Sequence, residues 1–254
     1  MPLIGIDVGS TYTKYCIMDD DQKIISLFSD KTPVRQKEYF DKKIYEITQE
    51  YPSSPIVSCG YGRKNISAIK NISELTALAL GSHYSAPDFG TTLDIGGQDT
   101  KIICHKNGTL NDFFINDRCA AGSGLFLANI CSMLDTDFHA INLSTEHGSG
   151  ITLSSVCAVF AQTEIVDLVS KNVPTEDIVQ AVIKQIFIQA KNLLRKVKTS
   201  RVLLSGGLSQ IKGIDAYASD ILGVPCLVHH DGAFLSAIGC AICARNAVDK
   251  SSVQ

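Results

Sequence analysis

The chain contains 254 residues, of which 45% are hydrophobic and 19% are charged, and its formal net charge at pH 7 is −3. This composition is typical of a folded globular protein with a substantial core. The slightly acidic balance gives no electrostatic attraction to nucleic acid or to a membrane surface, so neither is expected as a partner. Because no apolar run approaches about 20 residues and the first strand starts at once, we expect neither a membrane helix nor a signal peptide, and hence a cytoplasmic protein.

The first third of the sequence predicts a three-stranded meander followed by helices and a short strand. Apolar runs broken by turn residues indicate the strands, and charged residues at helical spacing indicate the first helix. Ser73 is typical of a helix N-cap. In chain order, the predicted elements are strands at 3–8, 13–18 and 23–28, a helix at 36–50, a strand at 56–59 and a helix that ends at residue 80.

The rest of the chain repeats this order on a larger scale. The predicted elements are strands at 91–95, 100–105 and 110–115, helices at 120–134, 157–171, 175–197 and 213–222, strands at 202–204 and 227–228, and a last helix at 232–245. Strands followed by helices, twice over, indicate a duplicated α/β protein with a nucleotide cleft between its halves. We assign residues 1–86 and 232–254 to the first half and residues 87–231 to the second.

One short motif occurs twice. Residues 6–14 read Ile-Asp-Val-Gly-Ser-Thr-Tyr-Thr-Lys and residues 93–101 read Leu-Asp-Ile-Gly-Gly-Gln-Asp-Thr-Lys. Each copy predicts a strand, a tight glycine turn with a carboxylate at its mouth, and a second strand. Glycine lets backbone N–H groups approach phosphate oxygens closely, and carboxylates hold Mg²⁺ or its waters. A single copy would most often be a simple hairpin turn, whereas two copies in register favour the binding of a nucleotide.

The two copies supply the candidate residues for ATP and Mg²⁺. The candidates for contacting the nucleotide are Gly9, Ser10, Thr11 and Lys14 in the first copy, and Gly96, Gly97 and Lys101 in the second. The candidates for catalysis are the carboxylates Asp7, Asp94 and Asp99. One of them could orient the attacking water as a general base, and Gln98 is another candidate for that role. The sequence leaves open which of these acts, and solvated strand positions are equally compatible with the two lysines.

A third glycine turn, Leu-Ser-Gly-Gly-Leu-Ser-Gln at 204–210, accompanies the two Asp-x-Gly motifs. Together they resemble the ribonuclease H-like superfamily of actin, hexokinase and the Hsp70 ATPases. In that superfamily the third turn holds the adenosine, which implies that Gly206, Gly207 and Gln210 contact the nucleotide.

Further segments narrow the resemblance to one family. They are Gly-Tyr-Gly-Arg at 60–63, Asp-Ile-Gly-Gly-Gln-Asp at 94–99, Asn-Asp-Arg-Cys-Ala-Ala-Gly-Ser-Gly at 116–124 and Ser-Ser-Val-Cys-Ala-Val-Phe-Ala at 154–161. In combination they are similar to the ATP-dependent activators of 2-hydroxyacyl-CoA dehydratases and the related ATPase subunits of benzoyl-CoA reductases. The chain departs from the usual pattern of these relatives at Leu125, where Arg is common, and at Gln162, where Glu is common.

The resemblance implies a homodimer with one [4Fe–4S] cluster between the subunits, ligated by Cys119 and Cys157 of each. The residues agree with this, because a cubane cluster normally takes four thiolates and two subunits related by a two-fold axis supply two each. Both cysteines precede predicted helices, whose N-termini carry partial positive charge that favours an anionic cluster. We expect the remaining cysteines, including the Cys240-x-x-Cys243 pair, to lie in the core.

The resemblance also implies an ATPase coupled to electron transfer. A ferredoxin or flavodoxin would donate the electron, and an iron–sulfur enzyme would accept it. That partner would be a 2-hydroxyacyl-CoA dehydratase, an aryl-CoA reductase or a double-cubane cluster protein.

Two other functions remain open from the sequence. A small-molecule, sugar-type kinase of the same fold would need neither Cys119 nor Cys157. A non-catalytic ATP-binding scaffold is disfavoured because both phosphate turns are complete. The pair His229-His230 has the residue types of a metal site, but the sequence shows no third ligand, so a plain loop is the favoured interpretation.

Overall fold

The computed structural model describes residues 1–116, 120–143, 150–154 and 157–251. These residues form two compact units. The first unit comprises Met1–Gly90, His105–Asn111 and the segment from Phe234 onward, and the second comprises Thr91–Cys104 and Asp112–Ala233. Within the described ranges, no helix combines the length and the apolar character that crossing a bilayer requires.

The sheet of the first unit has five strands in the order β3-β2-β1-β4-β5. The strands are β1 (Leu3–Val8), β2 (Tyr12–Met18), β3 (Ile24–Lys31), β4 (Ile56–Gly60) and β5 (Lys70–Asn71). β1 lies at the centre, antiparallel to β2 and parallel to β4. Because β1 and β4 lie inside the sheet, their residues are almost all buried. The helices of this unit are α1 (Gln36–Glu50), α2 (Glu74–Ser85) and α7 (Leu235–Ser251).

The sheet of the second unit repeats this order as β8-β7-β6-β9-β10. The strands are β6 (Thr91–Ile95), β7 (Thr100–Lys106), β8 (Thr109–Asn116), β9 (Val202–Gly206) and β10 (Cys226–Val228). The central strand β6 is again antiparallel to the next strand in sequence and parallel to the fourth. The helices are α3 (Gly124–Met133), α4 (Ala158–Ser170), α5 (Thr175–Leu194) and α6 (Ile214–Leu222). The duplication predicted from the sequence is therefore present in the strand order.

Helix α1 has its predicted bounds, whereas the helix predicted to end at residue 80 continues to Ser85, and other helices differ at their ends. Ser73 caps α2 as predicted, because its Oγ accepts the N–H of Leu75 at 3.3 Å. The helix predicted at 120–134 begins only at Gly124, since Ala120–Gly122 form a separate 3₁₀ turn. The last helix likewise starts after a 3₁₀ turn and extends to Ser251, because no glycine or proline interrupts the polar residues after position 245.

Helices α2 and α7 cross at very short range in the first unit. A Cβ atom at Gly239 would lie 1.8 Å from the carbonyl oxygen of Ala77, and a Cβ atom at Gly81 would lie 1.8 Å from that of Leu235. Neither helix can therefore carry a side chain at the crossing. This close approach explains why the apolar stretch of α7 contains small residues where a lone amphipathic helix would carry large ones.

We predict that Gly239→Ala lowers the free energy of unfolding by about 2 kcal/mol or more, because the added methyl must push two backbones apart. Alanine has the higher helix propensity, so the intrinsic preference acts against this loss. Urea denaturation measures the change. Asn246→Ala, at an exposed position of the same helix, is the matched control and should shift the midpoint only slightly. Equal midpoints for the two variants would contradict the close crossing.

Candidate functional site

The first copy of the motif joins β1 to β2 through a turn at residues 9–11. Asp7 lies opposite Lys14 on β2 and opposite Cys59 on β4. The thiol of Cys59 donates a hydrogen bond to Asp7 Oδ1, with a sulfur–oxygen distance of 3.5 Å. Burial raises the pKa of this thiol well above its usual range, so it stays protonated and able to donate. The carboxylate of the motif is thus oriented by a strand that is remote in sequence.

The Gly-Tyr-Gly-Arg segment lies directly against this carboxylate. Gly60 has a φ of +87°, and a Cβ atom there would lie 2.8 Å from Asp7 Oδ1. Arg63 closes the loop by donating from Nη1 to the carbonyl oxygen of Gly60 at 2.9 Å. On the other side, Thr32 Oγ1 donates to the carbonyl oxygen of Gly9 at 2.8 Å and fixes the turn. Cys59 and Thr32 were missed as site residues, because only long-range strand pairing brings them to the motif.

The second copy contains a buried charge network. The ammonium of Lys101 lies 3.1 Å from Asp94 Oδ2 and 3.0 Å from Asp99 Oδ1, and the three side chains are only 8%, 13% and 8% exposed. Two carboxylates around one ammonium leave the group with a net charge of −1, which suits a nearby divalent cation. In the first copy Tyr12 occupies the position of Asp99, so the second carboxylate of this network has no counterpart in that motif. Within the described ranges, Lys14 forms no ion pair and is half-buried.

The glycine turn of the second copy is hydrogen-bonded to the start of α3. The N–H of Gly124 donates to the carbonyl oxygen of Gly96 at 2.8 Å, and the N–H of Leu125 donates to that of Gly97 at 2.9 Å. Thr100 Oγ1 also donates to the carbonyl oxygen of Gly122. The first N–H groups of a helix have no partner within it, so here they hold the turn in place. Part of the 116–124 motif therefore braces the predicted phosphate turn.

The third glycine turn lies beside the second copy in the same sheet. β9 runs parallel to β6, with Ser205 opposite Asp94 and Gly206 opposite Ile95. Gly206 has a φ of +88°, and a Cβ atom there would lie 2.1 Å from the carbonyl oxygen of Ile95. Gly207 has open space around it, and Gln210 is exposed at the end of the following 3₁₀ turn. The second unit thus brings the candidates Asp94, Gly96, Gly97, Gly206 and Gly207 to the carboxyl ends of two adjacent strands.

The two cysteines implicated by the resemblance differ in what the structure shows. Cys119 lies outside the described residues. Cys157 is the N-cap of α4, is exposed, and accepts the N–H of Ala161 through its carbonyl oxygen at 2.9 Å. Of the eight cysteines in the described part of the chain, Cys157 alone is exposed. Its helix continues with Val159 and Phe160, which are 71% and 68% exposed.

Comparison with known proteins identifies the family of this chain. The model of the BadF/BadG/BcrA/BcrD ATPase family matches residues 4–244. The chain belongs to this family. The resemblance derived from the motifs is therefore confirmed, and the family identifies the chain as a member of a group of ATPases.

Relatives and a solved structure cover nearly the whole of this family member. It is 30% identical to the 2-hydroxyisocaproyl-CoA dehydratase activator of Clostridioides difficile, over 100% of this chain and 98% of the relative. It is also 30% identical to the (R)-2-hydroxyglutaryl-CoA dehydratase activating ATPase of Acidaminococcus fermentans, over 95% and 96%. The structure of the activator of the 2-hydroxyisocaproyl-CoA dehydratase from Clostridium difficile with bound ADPNP matches with a TM-score of 0.88 and 29% identity, over 99% and 97%. The predicted actin- and hexokinase-like fold is thus confirmed.

We predict that Lys101→Met lowers the free energy of unfolding by about 3 kcal/mol, because it leaves two buried carboxylates without their counter-charge. The loss should be larger at pH 8 than at pH 5, since proton uptake by one carboxyl relieves the repulsion. Chemical denaturation at both pH values tests this.

The matched control for that experiment is Lys14→Met, which changes the equivalent position of the first copy. Lys14 is half-buried and without an ion pair within the described ranges, so its replacement should cost less than about 1 kcal/mol. The buried network is not needed for stability if the two variants unfold at the same denaturant concentration at pH 8.

Proposed function

We propose that this family member is an ATP-dependent reductive activator. In this proposal a homodimer holds one [4Fe–4S] cluster between its subunits. The dimer passes a low-potential electron to an iron–sulfur dehydratase or reductase in a reaction coupled to ATP hydrolysis. The observation that carries the proposal is the exposure of Cys157 at the N-terminus of α4, in a chain whose other described cysteines are buried or half-buried.

Both copies of the motif are proposed to bind Mg²⁺–ATP. Gly9, Ser10, Thr11 and Lys14 of the first copy, with Gly96, Gly97 and Lys101 of the second, would contact the phosphates. Gly206, Gly207 and Gln210 would contact the adenosine. The relative whose structure contains ADPNP supports nucleotide binding by this fold. The open space at Gly207 and the exposure of Gln210 leave room for such a ligand.

We propose catalytic roles for the carboxylates of the two motifs and for Gln98. Asp94 and Asp99 share the ammonium of Lys101, and that network as a whole keeps one negative charge, so we assign it to Mg²⁺ and its waters. Asp7 instead accepts a hydrogen bond from the neutral thiol of Cys59, a contact that orients the carboxylate without cancelling its charge. Asp7 or Gln98 is the side chain that we propose to position the attacking water.

The described residues around Cys157 fit a cluster ligand. Cys157 directly precedes the first turn of α4, and the partial positive charge of a helix N-terminus would stabilise a thiolate bound to an anionic cluster. Cys119 would supply the second ligand of each subunit. When bound, the cluster supplies a carrier for one electron at low potential. The exposed Val159 and Phe160 provide apolar surface beside the ligand, as a subunit interface requires.

The hydrogen bonds between the second glycine turn and α3 offer a route for coupling. The same segment contains Cys119 and, five residues later, the N–H groups that bind Gly96 and Gly97. A change at the phosphates of the nucleotide would therefore act on the backbone that leads to a proposed cluster ligand. Such a coupling requires a segment that adopts two conformations, one of which the bound nucleotide stabilises. We propose that this segment of the chain does so.

The partner and the donor follow from the relatives. Two of them are named for a 2-hydroxyisocaproyl-CoA and an (R)-2-hydroxyglutaryl-CoA dehydratase, so we propose an iron–sulfur enzyme of that type, or an aryl-CoA reductase or double-cubane cluster protein, as the acceptor. A ferredoxin or flavodoxin is the proposed donor. A sugar-type kinase would have no use for an exposed cysteine at a helix N-terminus, and the family match supports the activator.

We predict that the anaerobically purified protein contains about four irons per dimer and gives the electron paramagnetic resonance signal of a reduced cluster after dithionite treatment. Cys157→Ala and Cys119→Ala should each abolish the signal, because each removes two of four ligands from a symmetric dimer. Iron and sulfide analysis with the spectrum measures this. The matched control is Cys104→Ala, a half-buried cysteine of the same unit, which should keep iron and signal.

Nucleotide binding is measured separately on the same variants. ADPNP should raise the melting temperature of the wild type and of Cys157→Ala alike, because the proposed nucleotide residues do not include the cysteine. A colourless wild type after anaerobic reconstitution, with intact ADPNP binding, would overturn the cluster and leave the kinase as the leading function. Loss of ADPNP binding in the wild type would instead overturn the ATP-dependent part.

A further inference from the structure

The turn after β10 gathers two imidazoles and a carboxylate. The N–H of Gly232 donates to the carbonyl oxygen of His229 at 2.8 Å and closes a tight turn around His230 and Asp231. One ligand atom from each of His229, His230 and Asp231 lies within 4.8 Å of the others. The sequence already shows the two histidines as a possible metal pair, and the structure adds the third ligand that was missing, Asp231.

The distances within this turn are close to those of a metal coordination sphere. His230 Nε2 lies 3.0 Å from Asp231 Oδ2, and His229 Nδ1 lies 3.8 Å from the same oxygen. Ligands bound to one ion at about 2.1 Å lie roughly 3 to 4 Å from each other. The backbone N–H of Asp231 donates to His229 Nδ1 at 3.2 Å, a long hydrogen bond that a bound ion would replace.

Two of the three side chains are largely buried, whereas the third is exposed. The side chains of His229 and Asp231 are only 22% and 14% exposed, whereas that of His230 is 80% exposed. The centroids of the two imidazole rings lie 4.0 Å apart, so both rings are on the same side of the turn as the carboxylate. An ion held here would keep open positions for water or for another ligand, because one turn supplies only three ligands.

We propose that His229, His230 and Asp231 bind a divalent transition-metal ion of the zinc type. Imidazole nitrogen with one carboxylate is a ligand set for Zn²⁺ and its neighbours in the first transition row, whereas Mg²⁺ prefers oxygen ligands alone. This site is distinct from the proposed magnesium site around Asp94 and from the proposed cluster cysteines. It does not depend on the proposed function.

The place of this turn suggests what the ion would control. Ser205 Oγ donates to the carbonyl oxygen of Gly232 at 3.0 Å, and Ser209 Oγ donates to that of Gly206 at 2.7 Å. A Cβ atom at Gly232 would lie 3.1 Å from Ser209 Oγ. The metal-binding turn thus packs directly on the third glycine turn. An ion that rigidifies it would stabilise the segment that we propose to contact adenosine.

Zinc binding by the complete protein tests the inference. The anaerobically purified protein is dialysed against low zinc in excess Mg²⁺, and metal analysis should find one zinc per chain in addition to iron. X-ray absorption at the zinc edge should show nitrogen and oxygen ligands near 2.0–2.1 Å rather than sulfur near 2.3 Å. That readout separates the turn from any cysteine that captures zinc.

Three variants and a control complete the test. His230→Ala changes an exposed side chain and cannot unfold the turn, and it should weaken zinc binding at least tenfold in titration calorimetry. Asp231→Asn and His229→Ala should have the same effect or a larger one. Asp220→Asn, an exposed carboxylate on α6, should leave zinc affinity unchanged. The inference is overturned if the wild type retains no zinc, if the zinc is bound by sulfur, or if His230→Ala binds zinc as tightly as the wild type.

Discussion

Two backbone hydrogen bonds, from Gly124 to Gly96 and from Leu125 to Gly97, are the contact on which the proposed coupling depends. They provide acceptors for helix N–H groups that have no partner inside α3, and in the same way they bind the carbonyl groups of the glycine turn to the helix. A larger residue at position 124 would disturb this contact, because a Cβ atom there would lie 3.1 Å from the carbonyl oxygen of Gly96. The turn and the helix start therefore behave as one hydrogen-bonded unit, and any ligand that moves the turn must also move the start of α3.

The duplicated motif has diverged into two different environments for the same carboxylate. In the second copy, Asp94 shares a buried ammonium with Asp99, an arrangement that balances one of the two negative charges. In the first copy, Tyr12 replaces that partner, and Asp7 accepts a hydrogen bond from a protonated thiol. Two carboxylates at equivalent positions can take different chemical roles when their surroundings differ in this way. The asymmetry lies in one residue of the motif, and it is the basis for the different roles that we propose for Asp94 and Asp7.

The order of most strands and helices could be predicted from the sequence, because the hydrophobic periodicity that marks each element is a local property. α1 was predicted with its observed bounds, and the predicted strands at 3–8 and 91–95 match β1 and β6. The two-residue strand β5 was not predicted, since it has no apolar pattern and exists only by pairing with β4. The start of α3 was placed too early, because a 3₁₀ turn has the same composition as a helix start.

The candidate site shows the same division between local and long-range information. The motif itself revealed Asp7, Asp94 and the glycine turns. The thiol beside Asp7 could not be found this way, because Cys59 lies in a different strand and reads as a core residue. The carboxylate of Asp231 is adjacent in sequence to the histidine pair, yet only the closed turn shows that its oxygen faces them.

The spacing of cysteines in the sequence was the weakest guide to their function, because the environment of a thiol decides its chemistry. Cys240 and Cys243 have the spacing of a redox pair, yet both are buried. Burial raises the pKa of the thiols of Cys59 and Cys131 and brings that of Cys226 to about 11, so these side chains resist forming the thiolate that binds iron. Cys157 has no other cysteine at a redox spacing, but it is exposed at a helix N-terminus. The surroundings of the thiol, and not its spacing from another cysteine, therefore distinguish Cys157 from the buried cysteines.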